Sequence, residues 1–426
     1  SQKKIHGPGR LGLHTARRIH KASERVRISN MVRLAFDAAF GSHMVLQQAP
    51  SMAAVHGTVT GSGNTAPMVL ISLVRDASRS SRATVMEEVV AATTLSADGM
   101  EWRWRVLFRP VSSSPQRFYT VVAGNGSVDH AFMPHVQFGD VWICAGQSNM
   151  AIPLLYSYAY NTSVTAIRKR KYGNVRFSNM WIANIRTDDV RPPHTSRWFT
   201  PGAGVTPVRL ANSSELTMPL SEFCAECWYF AESLTDMFID AGLDPPTLGL
   251  YCICEGGSAI ERWAPASELK RRCSHTFYPS GEAGGDLYEE RVHPLTKLSV
   301  KGFLWHQGEQ NVQTHAVSGN WLSSYGYGCE LPALISLWRE AFSHVDATDL
   351  RAAGQASQAG QASHSTAPPL TTPPFTTPPL TPPPLMRSDP LAPFGVVTLH
   401  PRAGWRALMT YLLIYLLTYL ITYLPT

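Results

Sequence analysis

The sequence DVWICAGQSNM, residues 140–150, decides the fold more than any other stretch of this chain. Residues 141–144 are apolar and are typical of a short buried strand. Residues 145–146 permit a tight exit from that strand, and residues 147–149 then fall at a strand–turn–helix junction. Ser148 would lie beside backbone N–H groups that favour negative charge. A nucleophilic serine hydrolase needs this geometry, although such a serine can also simply cap a helix.

Composition places the chain among globular proteins with more than one domain. The chain has 426 residues, of which 44% are hydrophobic and 11 are Trp, which fits sizeable cores. Its net charge of +6 is concentrated in residues 1–36, which carry nine Lys or Arg and one acid. We therefore predict a basic tail and no nucleic-acid-binding surface. Residues 1–33 lack the apolar core of a secretion signal and are expected to be a disordered arm or a mis-joined N-terminus.

Cysteines and sequons bear on metal binding and on the cellular compartment. The chain has 7 Cys, an odd number, so the pairing stays open. Cys224 and Cys227 form one C-x-x-C pair, but no histidine follows at zinc spacing, and no metal site is expected. Asn125, Asn161 and Asn212 begin N-x-S/T sequons, which favour a secretory location.

Two patterns of secondary structure divide the central part of the chain. Residues 34–138 read as short strands with turn signals about every ten residues, which predicts a β-sandwich. Residues 139–346 alternate strands with helices, and the clearest helix is predicted over residues 219–242, with Ser221 as its cap and Gly242 as its end. Buried strands are predicted over residues 246–253 and 301–305. This alternation predicts a mostly parallel sheet with helices on both faces and a ligand site beyond the carboxyl ends of the strands.

The C-terminal part of the chain has a different composition. Residues 347–392 form a Pro/Thr-rich, low-complexity linker that cannot build a core. Residues 393–426 read as a C-terminal remnant that ends in a Tyr-Leu repeat. The repeat is close to the minimum length for a membrane helix. We expect repeat-derived sequence there, or a wrong reading frame, and not a membrane anchor.

Two further stretches supply polar groups at predicted strand ends. In residues 249–263 a strand runs into Gly256 and Gly257, where a backbone N–H can point at a developing oxyanion. An ordinary β–α turn is the alternative. In residues 301–311 a strand ends in a polar cluster whose Gln307 and Asn311 amides can donate to an oxyanion without adding charge. Glu309 would orient a neighbour, or it is a solvated loop acid.

Taken together, these stretches resemble the sialate O-acetylesterase family, within the SGNH (GDSL-like) hydrolases and related to acetylxylan esterases. The resemblance implies a flavodoxin-like SGNH hydrolase α/β domain of three layers with an N-terminal β-sandwich domain. It implies a lysosomal or secreted enzyme that removes acetyl groups from sialic acid hydroxyls, with no metal and no cofactor. The matching segments are residues 43–48, 138–150, 256–263, 292–295, 301–311 and 334–342.

The resemblance also implies roles for individual residues. Ser148 would be the nucleophile. The oxyanion hole would consist of the Ser148 N–H, the Gly257 N–H and a side-chain amide. Gly256 is the alternative to Gly257, and either Gln307 or Asn311 would supply the amide. The residues expected to contact substrate are Gln147, His306 and Glu309.

The match weakens where the family closes its catalytic triad. The family has an Asp shortly before an Ile-His-Pro-like element, whereas here the proline-rich tract displaces this region. His400 would be the general base and Asp389, eleven residues earlier, its weak orienter. Residues 393–397 alternatively match an earlier sheet strand, with His400 present by accident. Two other functions therefore remain open: a catalytically impaired or truncated homologue that binds glycan without turnover, and an acetylxylan-type esterase.

Overall fold

One long strand, β9 (His130–Gly146), connects the N-terminal strands to the α/β part of the chain. Its first half pairs antiparallel with β8 (Tyr119–Gly124), and its second half pairs parallel with β14 (Leu248–Cys252) and β15 (Gly302–His306). The predicted boundary between residues 138 and 139 therefore falls inside a continuous strand. The computed structural model describes residues 32–61, 65–78, 81–124, 130–179, 198–209, 216–273, 284–311, 324–343 and 394–397.

The N-terminal strands form two antiparallel sheets. The first sheet has the order β1-β3-β7-β6, and the second continues from β9 through β8 to β4 and β5. Because strand residues alternate between faces, each sheet directs apolar side chains inward, and Val55, Trp104, Val121 and Met133 lie in one shared core. The strands are β1 (Arg33–Phe36), β3 (Ala53–Thr60), β4 (Leu70–Arg75), β5 (Thr84–Val90), β6 (Ala92–Leu95) and β7 (Glu101–Phe108).

A short strand, β2 (Val45–Gln47), attaches the N-terminal part to the middle of β9. The Gln47 side chain is buried. Its carbonyl oxygen accepts the Val141 N–H at 3.0 Å, and its amide donates to Asp140 Oδ1 at 3.3 Å. Both ends of the buried amide are thus satisfied, as a buried polar group requires.

Five parallel strands form the sheet of the α/β part. Across the sheet they run β10 (Val175–Asn179), β14, β9, β15 and β16 (Phe394–Val397), and β11 (Trp198–Phe199) adds an antiparallel edge. Numbered along the chain, this order is 2-3-1-4-5, whereas the flavodoxin-like order is 2-1-3-4-5. With the edge strand β10 set aside, β14, β9, β15 and β16 keep the flavodoxin-like order 2-1-3-4, and the flavodoxin-like sheet stays a prediction. Strands buried on both faces all read as apolar runs, so their sequences do not show which strands are neighbours.

Helices cover both faces of this sheet, which gives three layers. On one face, α2 (Tyr160–Arg168) and α4 (Ala225–Asp240) pack against Trp142 and other residues of the strands. On the opposite face, α6 (Ser324–Phe342) packs against residues that include Ile143. The α/β class predicted from the alternating pattern is confirmed. The other short α-helices and strands are α1 (Ser148–Ala151), α3 (Pro201–Gly204), α5 (Ala266–Arg272), β12 (Val208–Arg209) and β13 (Leu216–Thr217). Short 3₁₀ or π-helical turns lie at Leu154–Tyr156, Ile260–Trp263, Tyr288–Val292 and His293–Leu295.

The two ends of α4 differ in how well the sequence predicted them. Gly242, predicted to end the helix, has φ of 71°, a backbone conformation that glycine adopts without strain. The predicted start at residue 219 is wrong, because α4 begins at Ala225. Ser221, the expected cap, instead pairs its hydroxyl with the Tyr160 hydroxyl at 2.7 Å. Within the described part of the chain, no helix has the length and hydropathy needed to cross a bilayer.

The aromatic core between the sheet and α6 yields a test of the packing. Trp338 is fully buried, and its indole N–H donates to the Trp263 carbonyl at 2.8 Å. Its ring also packs edge-on against Trp305. We expect Trp338→Ala to lower the free energy of unfolding by about 3–5 kcal/mol, because it leaves a large cavity. Denaturant unfolding measures this change. The matched control is Tyr158→Ala, whose ring is fully exposed and whose loss should change stability by less than about 0.5 kcal/mol. A loss below about 1 kcal/mol in Trp338→Ala would contradict the packing.

Candidate functional site

The carboxyl end of β9 lies between strands from which the chain leaves toward opposite faces of the sheet. The chain leaves β9 toward α2 on one face, whereas it leaves β14 and β15 toward helices on the opposite face. Ligands of open α/β sheets bind at such switch points. At Gly146, with φ of 142°, an added Cβ would lie 2.0 Å from the His306 carbonyl oxygen. Only glycine therefore lets the ends of β9 and β15 touch.

Ser148 lies at the protein surface, directly after the end of β9. It is the first residue of α1 and is exposed. Gln147 occupies the N-cap position of α1. The alternative prediction, that Ser148 caps the helix, is therefore wrong. The nearest hydrogen-bond partner of its hydroxyl among the described residues is the Gln147 amide, at 3.5 Å, which is a weak contact.

Gln147 fixes the turn that carries Ser148. Its side chain is buried, and its carbonyl oxygen accepts three N–H groups from the loop after β15. These are the Gln307 amide at 3.0 Å, the Gly308 N–H at 3.3 Å and the Gln310 N–H at 3.0 Å. The expected substrate contact of Gln147 stays a prediction; in this structure the side chain is buried within the protein. Gln147 positions its neighbour.

The two predicted oxyanion amides are also occupied. The Gln307 amide nitrogen lies within hydrogen-bond distance of three acceptors: Gln147 Oε1 at 3.0 Å, the Ser258 carbonyl at 3.0 Å and Asn311 Oδ1 at 2.6 Å. The Asn311 amide donates to Glu261 at 3.0 Å. Both amides therefore hold the loops together in this structure: both hydrogens of the Gln307 amide have protein acceptors, and Glu261 accepts one of the two hydrogens of the Asn311 amide. The same bonds bring the loops that carry Ser148, Gly257 and Gln307 to one edge of the sheet.

The loop after β14 offers a backbone donor. Gly256 and Gly257 are exposed, and Gly257 has φ of 68°, a left-handed conformation in which a side chain would be strained. The Glu255 N–H donates to the Gly146 carbonyl at 3.0 Å, which places this loop beside the end of β9. Among the described residues, no acceptor is seen for the Gly257 N–H. This group is therefore free to bind a ligand.

His306 is held between two carboxylates. Its Nδ1 lies 2.8 Å from Glu226, and its Nε2 lies 3.7 Å from Glu309 Oε1. Glu309 in turn accepts a hydrogen bond from the Asn149 amide, next to Ser148. The imidazole is only 3% exposed, and the expected substrate contact of His306 stays a prediction. Sequence reasoning missed Glu226, because no motif links it to His306, 80 residues away.

The predicted base and its orienter, His400 and Asp389, lie outside the described residues. The strand before His400 is described: β16 runs parallel to β15, with Val397 beside His306. The segment is thus an edge strand of the sheet that the described residues form. Because parallel strands end at the same edge, β16 ends on the side of the sheet that carries Ser148.

Disulfides connect the elements around the site. Three pairs form, and Cys254 is free. The C-x-x-C residues Cys224 and Cys227 are bonded to other partners and not to each other. Among the described residues, one group, Cys224, Cys252 and Cys254, has ligand atoms close enough to hold a metal ion, within 4.8 Å of one another. The bonded pairs are Cys144–Cys227, Cys224–Cys252 and Cys273–Cys329.

Sequence comparison relates the chain to curated proteins. No protein-family model matches the chain. It is 28% identical to the sialate O-acetylesterase of Pongo abelii over 320 residues, which is 72% of this chain and 53% of that protein. It is 27% identical to the Homo sapiens sialate O-acetylesterase over 321 residues, again 72% and 53%.

The chain is related to the sialate O-acetylesterase family. It spans about half the length of the curated relatives it matches. A crystal structure of a carbohydrate acetylesterase from Xanthomonas citri is 21% identical, covers 72% of this chain and 57% of its own chain, and has a TM-score of 0.48.

In this relative of the sialate O-acetylesterases, two buried acids lie behind the amide network. Glu261, which accepts from Asn311, is 6% exposed, and Glu330 of α6 is 2% exposed. Burial raises the pKa of Glu330 to about 8, and the negative charge of Glu261 adds to the shift. Glu330 therefore keeps its proton at neutral pH, which avoids a second buried charge.

The raised pKa of Glu330 predicts how stability depends on pH. Below about pH 4.5 the carboxyl is protonated in both the folded and the unfolded chain, and its contribution is fully present. Between about pH 4.5 and 8 only the unfolded chain releases the proton, so stability falls by up to about 1.4 kcal/mol per pH unit. Glu330→Gln removes this dependence. We therefore expect the free energy of unfolding of the variant, relative to that of the wild type, to increase as the pH rises to 8.

Denaturant unfolding at a series of pH values measures the effect. The control is Glu290→Gln, which changes an exposed carboxyl and should leave the slope of stability against pH as it is in the wild type. The same slope for the wild type and Glu330→Gln would show that Glu330 is not held protonated.

Proposed function

We propose that the chain is a carbohydrate O-acetylesterase that hydrolyses acetyl esters of sialic acids, with Ser148 as nucleophile. The observation that carries the proposal is the exposed Ser148 on a turn fixed by the buried Gln147–Gln307–Ser258 hydrogen bonds. Rigid presentation of a serine beside free backbone N–H groups is what acyl transfer needs. The relationship to sialate O-acetylesterases supports an acetylated sugar as substrate.

The proposed reaction proceeds through an acyl-enzyme. Ser148 Oγ attacks the acetyl carbonyl, and a tetrahedral oxyanion forms. The sugar alcohol then leaves, and water releases acetate from the serine ester. The Ser148 and Gly257 N–H groups would bind the oxyanion, and each such donor is typically worth about 3 kcal/mol. Gln307 acts in this scheme by holding the loops, because both hydrogens of its amide have protein acceptors. Asn311 uses one of its two amide hydrogens to bind Glu261.

We assign the general base to His400, with Asp389 as its orienter. The support is the position of β16, whose last residue Val397 pairs with His306. Two strand spacings of about 4.8 Å separate β16 from β9, and the three residues from Val397 to His400 can span about 10 Å. The short length of chain between Val397 and His400 supports this assignment. General-base assistance is worth about 10²–10⁴ in rate.

A secreted or lysosomal location forms part of the proposal. Three disulfides form among the described residues. Disulfides persist mainly in oxidising compartments. The N-x-S/T sequons at Asn125, Asn161 and Asn212 point the same way.

Ester hydrolysis tests the assignment of Ser148. We expect Ser148→Ala to lower kcat/KM for p-nitrophenyl acetate by about 10³-fold or more, because the nucleophile is lost. Ser112→Ala is the matched control, since Ser112 is exposed on a loop of the N-terminal part, and it should keep wild-type activity. A Ser148→Ala variant with more than about a tenth of wild-type activity would exclude Ser148 as the nucleophile.

The choice of substrate separates the proposal from its two alternatives. Acetate release from 9-O-acetylated sialic acid that exceeds release from acetylated xylan supports the sialate assignment, and the reverse order favours an acetylxylan-type esterase. Sialoside binding without acetate release from any of these esters indicates a non-catalytic relative. Failure of His400→Asn to slow hydrolysis would remove His400 as the base.

A further inference from the structure

Three cysteine side chains meet on one face of the sheet at the end of β14. Cys252 and Cys254 are two residues apart, so they point to the same side of an extended chain, while Ile253 between them points into the opposite core. Cys224, the residue before α4, covers the same face. The sequence Cys-Ile-Cys thus places two sulfurs against a third.

The three sulfurs form one disulfide and one thiol. Cys224 and Cys252 are bonded, and Cys254 is free. The Cys254 Sγ lies 3.0 Å from the Cys224 Sγ and 3.1 Å from the Cys252 Sγ. A thiolate exchanges with a disulfide by attacking one of its sulfurs directly. Cys254 is already in contact with both sulfurs and lies beside the disulfide bond. Rotation of these side chains must bring the three sulfurs into line before the attack.

We propose that Cys254 is an alternative partner of Cys224, and that the chain exchanges between a Cys224–Cys252 and a Cys224–Cys254 disulfide. The Cys254 thiolate attacks the Cys224 Sγ, and the new sulfur–sulfur bond forms. The Cys224–Cys252 bond breaks, and its electron pair leaves on Cys252. The Cys252 thiolate then takes up the proton that Cys254 had released. No oxidant or reductant is consumed.

Chain geometry favours attack at Cys224 over attack at Cys252. The Cys224–Cys252 and Cys224–Cys254 disulfides close loops of nearly equal length, with sequence separations of 28 and 30, so their closure entropies are almost the same. A Cys252–Cys254 bond would join residues about 6.6 Å apart along a strand, at the upper limit for a disulfide. The two permitted isomers should therefore both be populated.

The exchange should be slow at neutral pH and faster in alkaline solution. Burial raises the pKa of the Cys254 thiol to about 12, the Arg291 cation opposes this rise, and the Glu255 and Glu226 carboxylates add to it. The reactive thiolate is therefore scarce at neutral pH. Its concentration, and with it the exchange rate, should rise about tenfold per pH unit below that pKa.

Mapping the free thiol tests the proposal on the full-length protein. The chain is purified without reductant, incubated at about pH 7 or about pH 9, quenched in acid, unfolded and alkylated with N-ethylmaleimide. Fragmentation at Ile253 in the mass spectrometer shows whether Cys252 or Cys254 carries the label. We expect label on both residues, with an approach to the final ratio about 100-fold faster at the higher pH.

Two matched variants complete the test. Cys254→Ser should hold only the Cys224–Cys252 bond, and Cys252→Ser should form the Cys224–Cys254 bond in its place. Label on Cys254 alone at both pH values would overturn the proposal, as would free Cys224 in a folded Cys252→Ser variant. Stoichiometric zinc on three reduced thiols in the purified protein would also overturn it. None of these results depends on esterase activity.

Discussion

The hydrogen bonds to the side-chain carbonyl oxygen of Gln147 are the interaction on which the rest of the site depends. This one oxygen accepts three N–H groups of the loop after β15. Each buried donor would cost about 1–3 kcal/mol if left without a partner, so the turn after β9 has few alternatives. Gly146 makes this arrangement possible because it lets β9 approach the His306 carbonyl closely. The position of Ser148 follows from these two constraints.

The residues that hold the loops of the site together are different from the residues that are free to react. The holding groups are buried neutral amides, chiefly Gln147 and Gln307, and neutral amides can be satisfied without a counter-charge. Glu330, which lies behind these amides, keeps its proton and therefore adds no negative charge. Ser148 and the Gly256–Gly257 turn are exposed. A rigid buried network that carries a few exposed groups suits a reaction in which charge develops at one fixed point.

The sequence alone predicted the local features of the fold. It did not predict which strands are neighbours or which distant side chains contact each other. The end of β9, the helix end at Gly242 and the double glycine follow from short-range rules and were predictable. The strand order was not, because every central strand is an apolar run. The Gln307 amide was predicted to face the substrate and instead faces protein. A sequence shows that an amide follows a strand but does not show which atoms surround it. Glu226 and the Cys224–Cys254 contact arise only when distant segments pack together.

The central claim is that the buried Gln147 network holds Ser148 in its reactive position. Labelling with a serine-reactive fluorophosphonate, followed by mass spectrometry, measures this directly in the wild type, Gln147→Ala and the exposed-site control Gln116→Ala. The account predicts label on Ser148, a rate at least about tenfold lower in folded Gln147→Ala, equivalent to about 1.4 kcal/mol, and an unchanged rate in the control. Equal labelling rates in all three proteins, or label on a different serine, would contradict it.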